Sequence, residues 1–240
     1  MKIFKLTFAL VLLAITSSCE FNFPFNSIEG NGNVIKDERI FSEKIDVVRA
    51  STGLEVILLE SMVQSVTVEA DENLIDVIET NFDNGVLHIK TNENIRRAKS
   101  KKVTVGFVSL EGVEASSGAN LKSISTIISD NLYLQTSSGA HMEVTVLSKE
   151  LSAKSSSGAD MKIKGQALNF NSKASSGSSI NAKELEAIYC TSKASSGADI
   201  VLNIKSSLDA KASSGGDIKY YGEPKIVNQN KSSSGSVRKL

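Results

Sequence analysis

The 240-residue chain has no tryptophan and only two histidines, two cysteines and two prolines. Its 27 basic and 27 acidic residues balance, so it lacks the excess of positive charge that is typical of nucleic-acid-binding proteins. His88 and His141 have no second histidine or cysteine at metal-ligand spacing. We therefore expect no metal, no cofactor and no nucleic-acid partner.

A catalytic constellation is missing as well. The chain is rich in serine, but its SSG motifs lack the flanking pattern of a nucleophile elbow, and neither histidine stands in a repeated relation to them. The GNGN motif at 30–33 is followed by neither a Lys-Ser/Thr pair nor a helix, which excludes a phosphate-binding loop. The sequence therefore predicts a protein that is not an enzyme.

Long apolar runs are absent, and the one short run lies at the N-terminus, in MKIFKLTFALVLLAITSSC. Its apolar core of about ten residues is too short to span a bilayer, and it follows Lys2 and Lys5. These features predict a signal peptide over 1–18. The TSSC stretch resembles a bacterial lipoprotein cleavage site, so Cys19 is the expected lipidation site and 19–33 a lipid-anchored tether. The alternative is ordinary signal cleavage nearby, with Cys19 incidental.

With Cys19 lipidated, Cys190 has no partner, so no disulfide is expected to stabilise the fold. A free cysteine without a partner most often behaves as a small buried apolar residue.

The region 34–110 contains irregular strand signals and is expected to form N-terminal β coils with a cap. One segment differs, because the stretch DENLIDVIETNF places apolar residues at helical spacing after Asp71, a candidate N-cap. It predicts one short helix near residues 71–80. Asn84-Gly85 then predicts a turn before the next strand.

From residue 111 to 240 a short serine- and glycine-rich motif, the SSG motif, recurs every 18 to 21 residues. Its marker glycines are Gly118, Gly139, Gly158, Gly177, Gly197, Gly215 and Gly235. A weaker copy surrounds Gly53. A period near 20 with strand-type alternation predicts a β-solenoid in which each repeat forms one coil.

Positions counted from each marker glycine alternate in character. Three residues after it stand Leu, Met or Ile in every copy but the last, and seven before it stand mostly Leu or Phe. Period two is the signature of strands with one face inward. Odd positions, including the serine just before each glycine, are therefore expected to face the core. The SSG motif is expected to form a narrow corner, because glycine adopts a backbone conformation that is strained for other residues.

The even positions carry charge and are expected to face water. Lysine recurs four residues before the glycine, at Lys154, Lys173, Lys193, Lys211 and Lys231. In stacked coils these lysines would lie about 4.8 Å apart. They predict either a solvated face that discourages aggregation or a strip that binds a polyanion such as an acidic polysaccharide. Asp160, Asp199 and Asp217 form a second column, but Ser179 interrupts it, which makes it a poor Ca²⁺ site.

The combination resembles the bacterial putative auto-transporter adhesin family with the head GIN domain. The matching residues begin with GNGNVIKDERIFSEKIDVVRASTGLEVIL, continue through VTVEADENLIDVIETNFDNGVLHIKT and end in the SSGA repeats, covering about 30–240. The resemblance implies a right-handed parallel β-helix in a cell-envelope protein, often a lipoprotein. It transfers no catalytic residue.

We therefore expect an all-β outer-membrane lipoprotein, facing the periplasm or the surface, that acts as a non-catalytic binding or adhesion scaffold for glycans or envelope proteins. The alternative is a carbohydrate-active β-helix enzyme that acts on an acidic polysaccharide. Such an enzyme would need carboxylates converging in a groove outside the repeat register. Because a β-helix has open ends, a homo-oligomer formed through those ends is a further expectation.

Overall fold

The computed structural model describes residues 27–232 and 234–240, so the predicted signal peptide and Cys19 lie outside the described residues. The described chain is nearly all β. Its strands are β1 (Ser27–Glu29), β2 (Val34–Arg39), β3 (Val47–Ala50), β4 (Glu55–Glu60), β5 (Ser65–Asp71), β6 (Ile78–Asp83), β7 (Val86–Thr91), β8 (Asn94–Arg97), β9 (Lys101–Phe107), β10 (Gly112–Ala115), β11 (Asn120–Thr136), β12 (His141–Ser155), β13 (Asp160–Ala174), β14 (Ser179–Ala194), β15 (Asp199–Ala212), β16 (Asp217–Tyr221), β17 (Ile226–Lys231) and β18 (Ser236–Lys239).

The repeats stack as parallel coils, which confirms the predicted β-helix. Strands β10 to β16 pair in parallel with the coil before and the coil after, so that equivalent residues stand above one another. The solenoid has about seven turns. The odd positions predicted to face inward form its core: Leu132, Leu151, Phe170, Cys190 and Leu208 are all buried.

Each coil changes direction at the SSG motif through a β-turn with two central residues. In the turn around Gly197, Ser196 has φ 54° and Gly197 has φ 70°, and the Ala198 N–H donates to the Ser195 carbonyl at 3.2 Å. Positive φ at both central residues defines a type I′ turn, for which glycine is strongly preferred. Positive φ also occurs at the other marker glycines of these coils, namely Gly118, Gly139, Gly158, Gly177 and Gly215.

The orientation predicted for the serine before each glycine is wrong. Ser117, Ser138, Ser157, Ser176, Ser196, Ser214 and Ser234 are all exposed. Their left-handed backbone breaks the alternation, so the residue after the glycine, such as the buried Ala198, faces the core instead. Their carbonyls continue the inter-coil ladder, as where the Gly177 N–H donates to the Ser196 carbonyl at 3.0 Å.

The last coil is shifted by one residue relative to its glycine. Gly235 is not in the left-handed region; Ser234, with φ 64°, holds that conformation. Lys231 accordingly pairs with Ala212, whereas Asn230 pairs with Lys211. The predictions that Gly235 is a corner glycine and that Lys231 extends the lysine column are therefore wrong, because Ser234 and not Gly235 takes the left-handed corner conformation of this coil.

The predicted helix over 71–80 is reduced to one 3-10 turn, Glu72–Leu74, and β6 begins at Ile78. The apolar residues there face the core of the cap: Leu74 and Ile78 are both at most 1% exposed. Asn84-Gly85 makes the predicted turn, with positive φ at both residues, and joins antiparallel strands β6 and β7.

Antiparallel strands close the N-terminal end of the solenoid. Strands β3 and β4 form a coil that stacks between β10–β11 on one side and β7 and β9 on the other. Beyond this, β6 pairs with β7, β5 with β9, and β2 with β5. Arg39 of β2 donates to the carbonyls of Ile75 and Ile78, which joins the two outer strands.

The tether predicted over 19–33 is part of the fold from residue 27 onward. Strand β1 pairs in parallel with β8. Asp71, which is 1% exposed, accepts hydrogen bonds from the backbone N–H groups of Gly32, Lys99 and Ser100. This buried carboxylate therefore joins the N-terminal segment to the connection between β8 and β9.

Candidate functional site

Four lysines form an unbroken column on the outer face of the solenoid. Lys154 pairs in register with Lys173, Lys173 with Lys193, and Lys193 with Lys211. All four are exposed, and none forms an ion pair with another residue of the described chain. Neighbouring charges about 4.8 Å apart in water repel by about 0.9 kcal/mol before screening. We call these four residues the lysine ladder.

The charges on the other side of the corner behave differently, because they neutralise one another. Lys162 lies 3.1 Å from Glu184, Lys164 lies 2.7 Å from Glu143, and Lys205 lies 3.0 Å from Glu186. Hydrogen bonding from Lys164 lowers the pKa of Glu143 and raises that of Lys164 itself. Opposite charges in register neutralise one another on a solvated sheet surface, whereas in the described part of the chain the four lysines of the ladder stand in register with one another and without ion pairs.

The aspartate column is also occupied by internal partners. Asp217 lies 3.1 Å from Lys219 and 2.8 Å from Arg238, and Ser179 donates to Asp160 at 2.6 Å. Burial would raise the pKa of Asp217, but the hydrogen bonds from Lys219 and Ser236 outweigh it and lower that pKa. Among the described residues, no group of three or more His, Cys, Asp or Glu side chains is placed to hold a metal ion.

A groove that the sequence analysis missed runs beside the lysine ladder, parallel to the solenoid axis. Its volume is about 730 Å³, and buried residues such as Phe170 and Cys190 form its floor. One wall consists of Asn131, Glu150, Asn169, Tyr189, Ser207 and Ile226. The other consists of Tyr133, Ser152, Asn171, Thr191, Asp209 and Asn228. We call this feature the axial groove.

The axial groove and the lysine ladder belong to one strand face. The Tyr133 wall lies six residues before the marker glycine and the ladder four before it, so the two columns are about 7 Å apart along each strand. Both wall columns occupy even, outward positions, apart from the wall residues of the last coil, whose glycine is shifted by one. Tyr133 and Tyr189 stand at such positions and are the sequence signal that could have revealed the groove, because an outward aromatic side chain has no core to fill.

The N-terminal end of the groove is held in place by an ion pair. The Arg49 guanidinium donates two hydrogen bonds to Glu114, at 2.7 and 3.0 Å, and the Tyr133 hydroxyl donates to the same carboxylate at 3.2 Å. Burial would raise the pKa of Glu114, but the Arg49 contact outweighs it and lowers that pKa. Burial, together with the nearby Glu114 charge, raises the pKa of Tyr133.

The Tyr133 ring lies directly against the backbone of Gly112. A Cβ atom added at Gly112 would stand 2.2 Å from two ring carbons. Glycine is therefore needed here for close approach and not for a special backbone angle. The ring position is set in advance by this contact and by the Glu114 hydrogen bond.

The groove carboxylates do not converge. Glu111, Glu150 and Asp209 precede or lie in three non-adjacent strands, β10, β12 and β15. Successive separations of two and three coils correspond to about 10 and 14 Å along the axis. Retaining glycosidases place their two carboxylates about 5 Å apart, and inverting ones about 6.5–9.5 Å apart. The groove thus offers hydrogen-bonding groups and two aromatic rings rather than an acid–base pair.

A sequence model described as "Putative auto-transporter adhesin, head GIN domain" matches residues 44–224. A comparison with curated protein sequences finds no match. No helix in the described part of the chain is long and apolar enough to cross a membrane.

Solved structures share the fold. A "putative adhesin" from Bacteroides fragilis has a TM-score of 0.82 at 19% identity, covering 89% of this chain and 100% of that one. One from Parabacteroides merdae has a TM-score of 0.72 at 18% identity, covering 89% and 99%. A "putative lipid binding protein" from Parabacteroides distasonis has a TM-score of 0.71 at 18% identity, with the same coverage.

Proposed function

Because the chain belongs to the family described as putative auto-transporter adhesin, head GIN domain, we propose that it is a non-catalytic binding scaffold of the cell envelope. The observation that carries the proposal is the lysine ladder, in which four exposed cations stand in register without partners while the other charged face is neutralised. Such a ladder lowers its own repulsion by binding a chain of negative charges. An acidic polysaccharide of a cell surface has the required chemistry.

The decisive experiment is a glycan array probed at low and high salt. We expect hits among acidic polysaccharides whose binding falls steeply with ionic strength, because screening shortens the reach of exposed charges. A variant with Lys154, Lys173, Lys193 and Lys211 all changed to Gln should lose these hits. An array without salt-sensitive acidic hits would overturn the proposal.

The matched control removes the same number of charges from the neutralised face. Lys162, Lys164, Lys205 and Lys219 are each ion-paired, and all four change to Gln in this variant. It alters the net charge as much as the ladder variant does but leaves the ladder intact. Equal loss of binding in both variants would show that net charge alone, and not the ladder, attracts the polyanion.

Membrane attachment through a lipidated Cys19 is the second part of the proposal. Acyl chains contribute about 0.8 kcal/mol per buried CH₂, and two or three chains anchor a protein stably. We expect the mature protein to partition into detergent and Cys19→Ala to release it into the soluble fraction. Protease shaving of intact cells distinguishes surface display from a periplasmic orientation. A Cys19→Ala protein that stays with membranes would contradict this anchoring.

A further inference from the structure

We infer that the axial groove and the lysine ladder form one composite site for a linear acidic glycan that lies parallel to the solenoid axis. The inference rests on the proposed function, because it assigns a ligand class and an orientation to the same polyanion-binding face. In it, sugar rings contact the groove walls and the acidic groups along one edge of the chain face the ladder.

The first argument is the direction of the two features. The ladder extends over four coils, from Lys154 to Lys211, and the groove extends from Tyr133 to Asn228 beside it. Each coil adds about 4.8 Å to the length of the ladder and to the length of the groove. A linear polymer that meets the same set of groups at every coil must run along the axis, whereas a chain that crosses the coils would meet only one or two lysines.

The second argument is the chemistry of the groove walls. Among the described residues, the side chains of Asn171, Thr191 and Asp209 make no hydrogen bond within the protein and are free to bind a ligand. Amides, hydroxyls and carboxylates together match the hydroxyl groups of sugars, which both donate and accept. An extended peptide fits less well, because the strand backbones beneath the groove are already paired with neighbouring coils.

The third argument is the pair of exposed aromatic rings. Tyr133 and Tyr189 are 36% and 47% exposed and lie three coils apart, about 14 Å along the axis. The rings provide flat apolar surfaces with a polar hydroxyl tip, which suit the apolar face of a sugar ring. Tyr133 is held in advance by Gly112 and Glu114, so little ordering is needed when a ligand binds.

The charges orient the glycan. Glu150 stands on the wall farther from the ladder, where it accepts a hydrogen bond from Asn169 at 2.5 Å. Like charges would keep the acidic edge of a ligand away from this wall, and the ladder would attract it on the opposite side. Asp209 on the wall nearer the ladder repels the acidic edge as well, but it is one carboxylate beside four lysines, so a glycan with acidic groups along one edge still has one favoured rotation about its own axis.

Binding of defined oligomers to the full-length protein in detergent tests the inference by calorimetry. The probes are hexamers of galacturonate, of mannuronate and of hyaluronan, with methyl-esterified hexagalacturonate as the uncharged match and polyphosphate as the polyanion without sugar rings. At least one uronate hexamer should bind, and its esterified or uncharged counterpart should bind with far weaker salt dependence. Absence of binding by every uronate hexamer overturns the inference.

Groove variants separate this inference from the proposed function. Tyr189→Ala and Gly112→Ala, the second acting only by displacing the Tyr133 ring, should each weaken uronate binding by about tenfold, equivalent to about 1.4 kcal/mol. Neither should change polyphosphate binding. Tyr221 lies outside the groove, and the Lys183 ammonium lies over its ring. Tyr221→Ala is therefore the control and should change neither uronate binding nor polyphosphate binding. If the groove variants bind uronates as the unaltered protein does while the ladder variant fails, the polyanion function stands and the composite site is wrong.

Chemical acetylation of the ladder tests the orientation. A glycan along the axis should protect more lysines from acetylation as its length grows, because each coil adds about 4.8 Å. Mass spectrometry of Lys154, Lys173, Lys193 and Lys211 with uronate dimers, tetramers and octamers follows this protection. Protection that covers the same one or two lysines at every length would overturn the axial arrangement.

Discussion

The hydroxyl of Ser172 donates to the hydroxyl of Ser192 at 2.8 Å, and both residues are fully buried in adjacent coils. They occupy the inward position five residues before the marker glycine. The flanking coils have Ala153 and Ala210 in register there. The pair is therefore a polar insertion in an otherwise apolar column, and each hydroxyl is satisfied chiefly by the other.

This pair predicts a non-additive double-mutant cycle. Ser192→Ala removes the acceptor of the buried Ser172 hydroxyl, and a buried unsatisfied group costs about 1–3 kcal/mol. The double change of Ser172 and Ser192 to Ala continues the alanine column and should cost less than the two single changes together. Urea unfolding of the four proteins measures the coupling, and strictly additive costs would contradict the proposed pairing.

Gly197, at a corner, and Gly165, within β13, are two glycines with positive φ at which an added methyl group should have different effects on stability. A Cβ atom at Gly197 would meet nothing within 4 Å, so Gly197→Ala should cost only the left-handed backbone strain, about 1–2 kcal/mol. At Gly165, where φ is 108°, the same atom would stand 2.0 Å from the Val146 carbonyl oxygen. Gly165→Ala should therefore lower the unfolding free energy clearly more than Gly197→Ala. Equal destabilisation of the two variants would show that contact with the neighbouring coil does not matter.

The Asp71 carboxylate should account for part of the loss of folding stability at low pH. Burial would raise its pKa, but the N–H groups of Ser100, Gly32 and Lys99 outweigh burial and lower it. With the folded pKa below the unfolded value of about 3.9, the carboxylate stabilises the fold above that pH, and this stability is lost as the pH falls through the folded pKa. Asp71→Asn should destabilise at pH 7 and flatten the decline below pH 4.

The control for Asp71 is Glu93→Gln, an exposed carboxylate on the surface. Urea unfolding at several pH values between 7 and 3 should give nearly the same curve for Glu93→Gln as for the unaltered protein. If Asp71→Asn shows the full acid dependence of the unaltered protein, the carboxylate is not responsible for it.

Cys190 predicts an unreactive thiol. Burial raises its pKa to about 12, so almost no thiolate is present near pH 8, and the thiolate is the reactive form. In the Cys19→Ala protein, where Cys190 is the remaining cysteine, a disulfide reagent such as DTNB should react slowly at pH 8 and rapidly after addition of denaturant. Rapid reaction of the folded protein would contradict the burial of Cys190.

Some features of the site could be predicted from residues alone and others could not. Each lysine from Lys154 to Lys211 precedes its marker glycine by four residues, so the stacking of these lysines is a consequence of the repeat itself. The outer wall position of Tyr189 also follows from its even spacing, but its role as a groove wall depends on Glu150 and Asn169 standing beside it. That relation is set by how one coil lies on the next, which a single coil's sequence does not contain.

What the sequence by itself determined was the period, the alternation of inward and outward residues along straight strand segments, and the need for glycine at the corner. Hydrophobic burial imposes these locally, because a strand with one face inward has period two. Only the tertiary structure decided the outward direction of Ser196, the shift that places Ser234 where a glycine was expected, and the antiparallel cap. The physical reason is that side-chain direction at a bend depends on two left-handed residues, and register depends on the length of the connection between neighbouring coils.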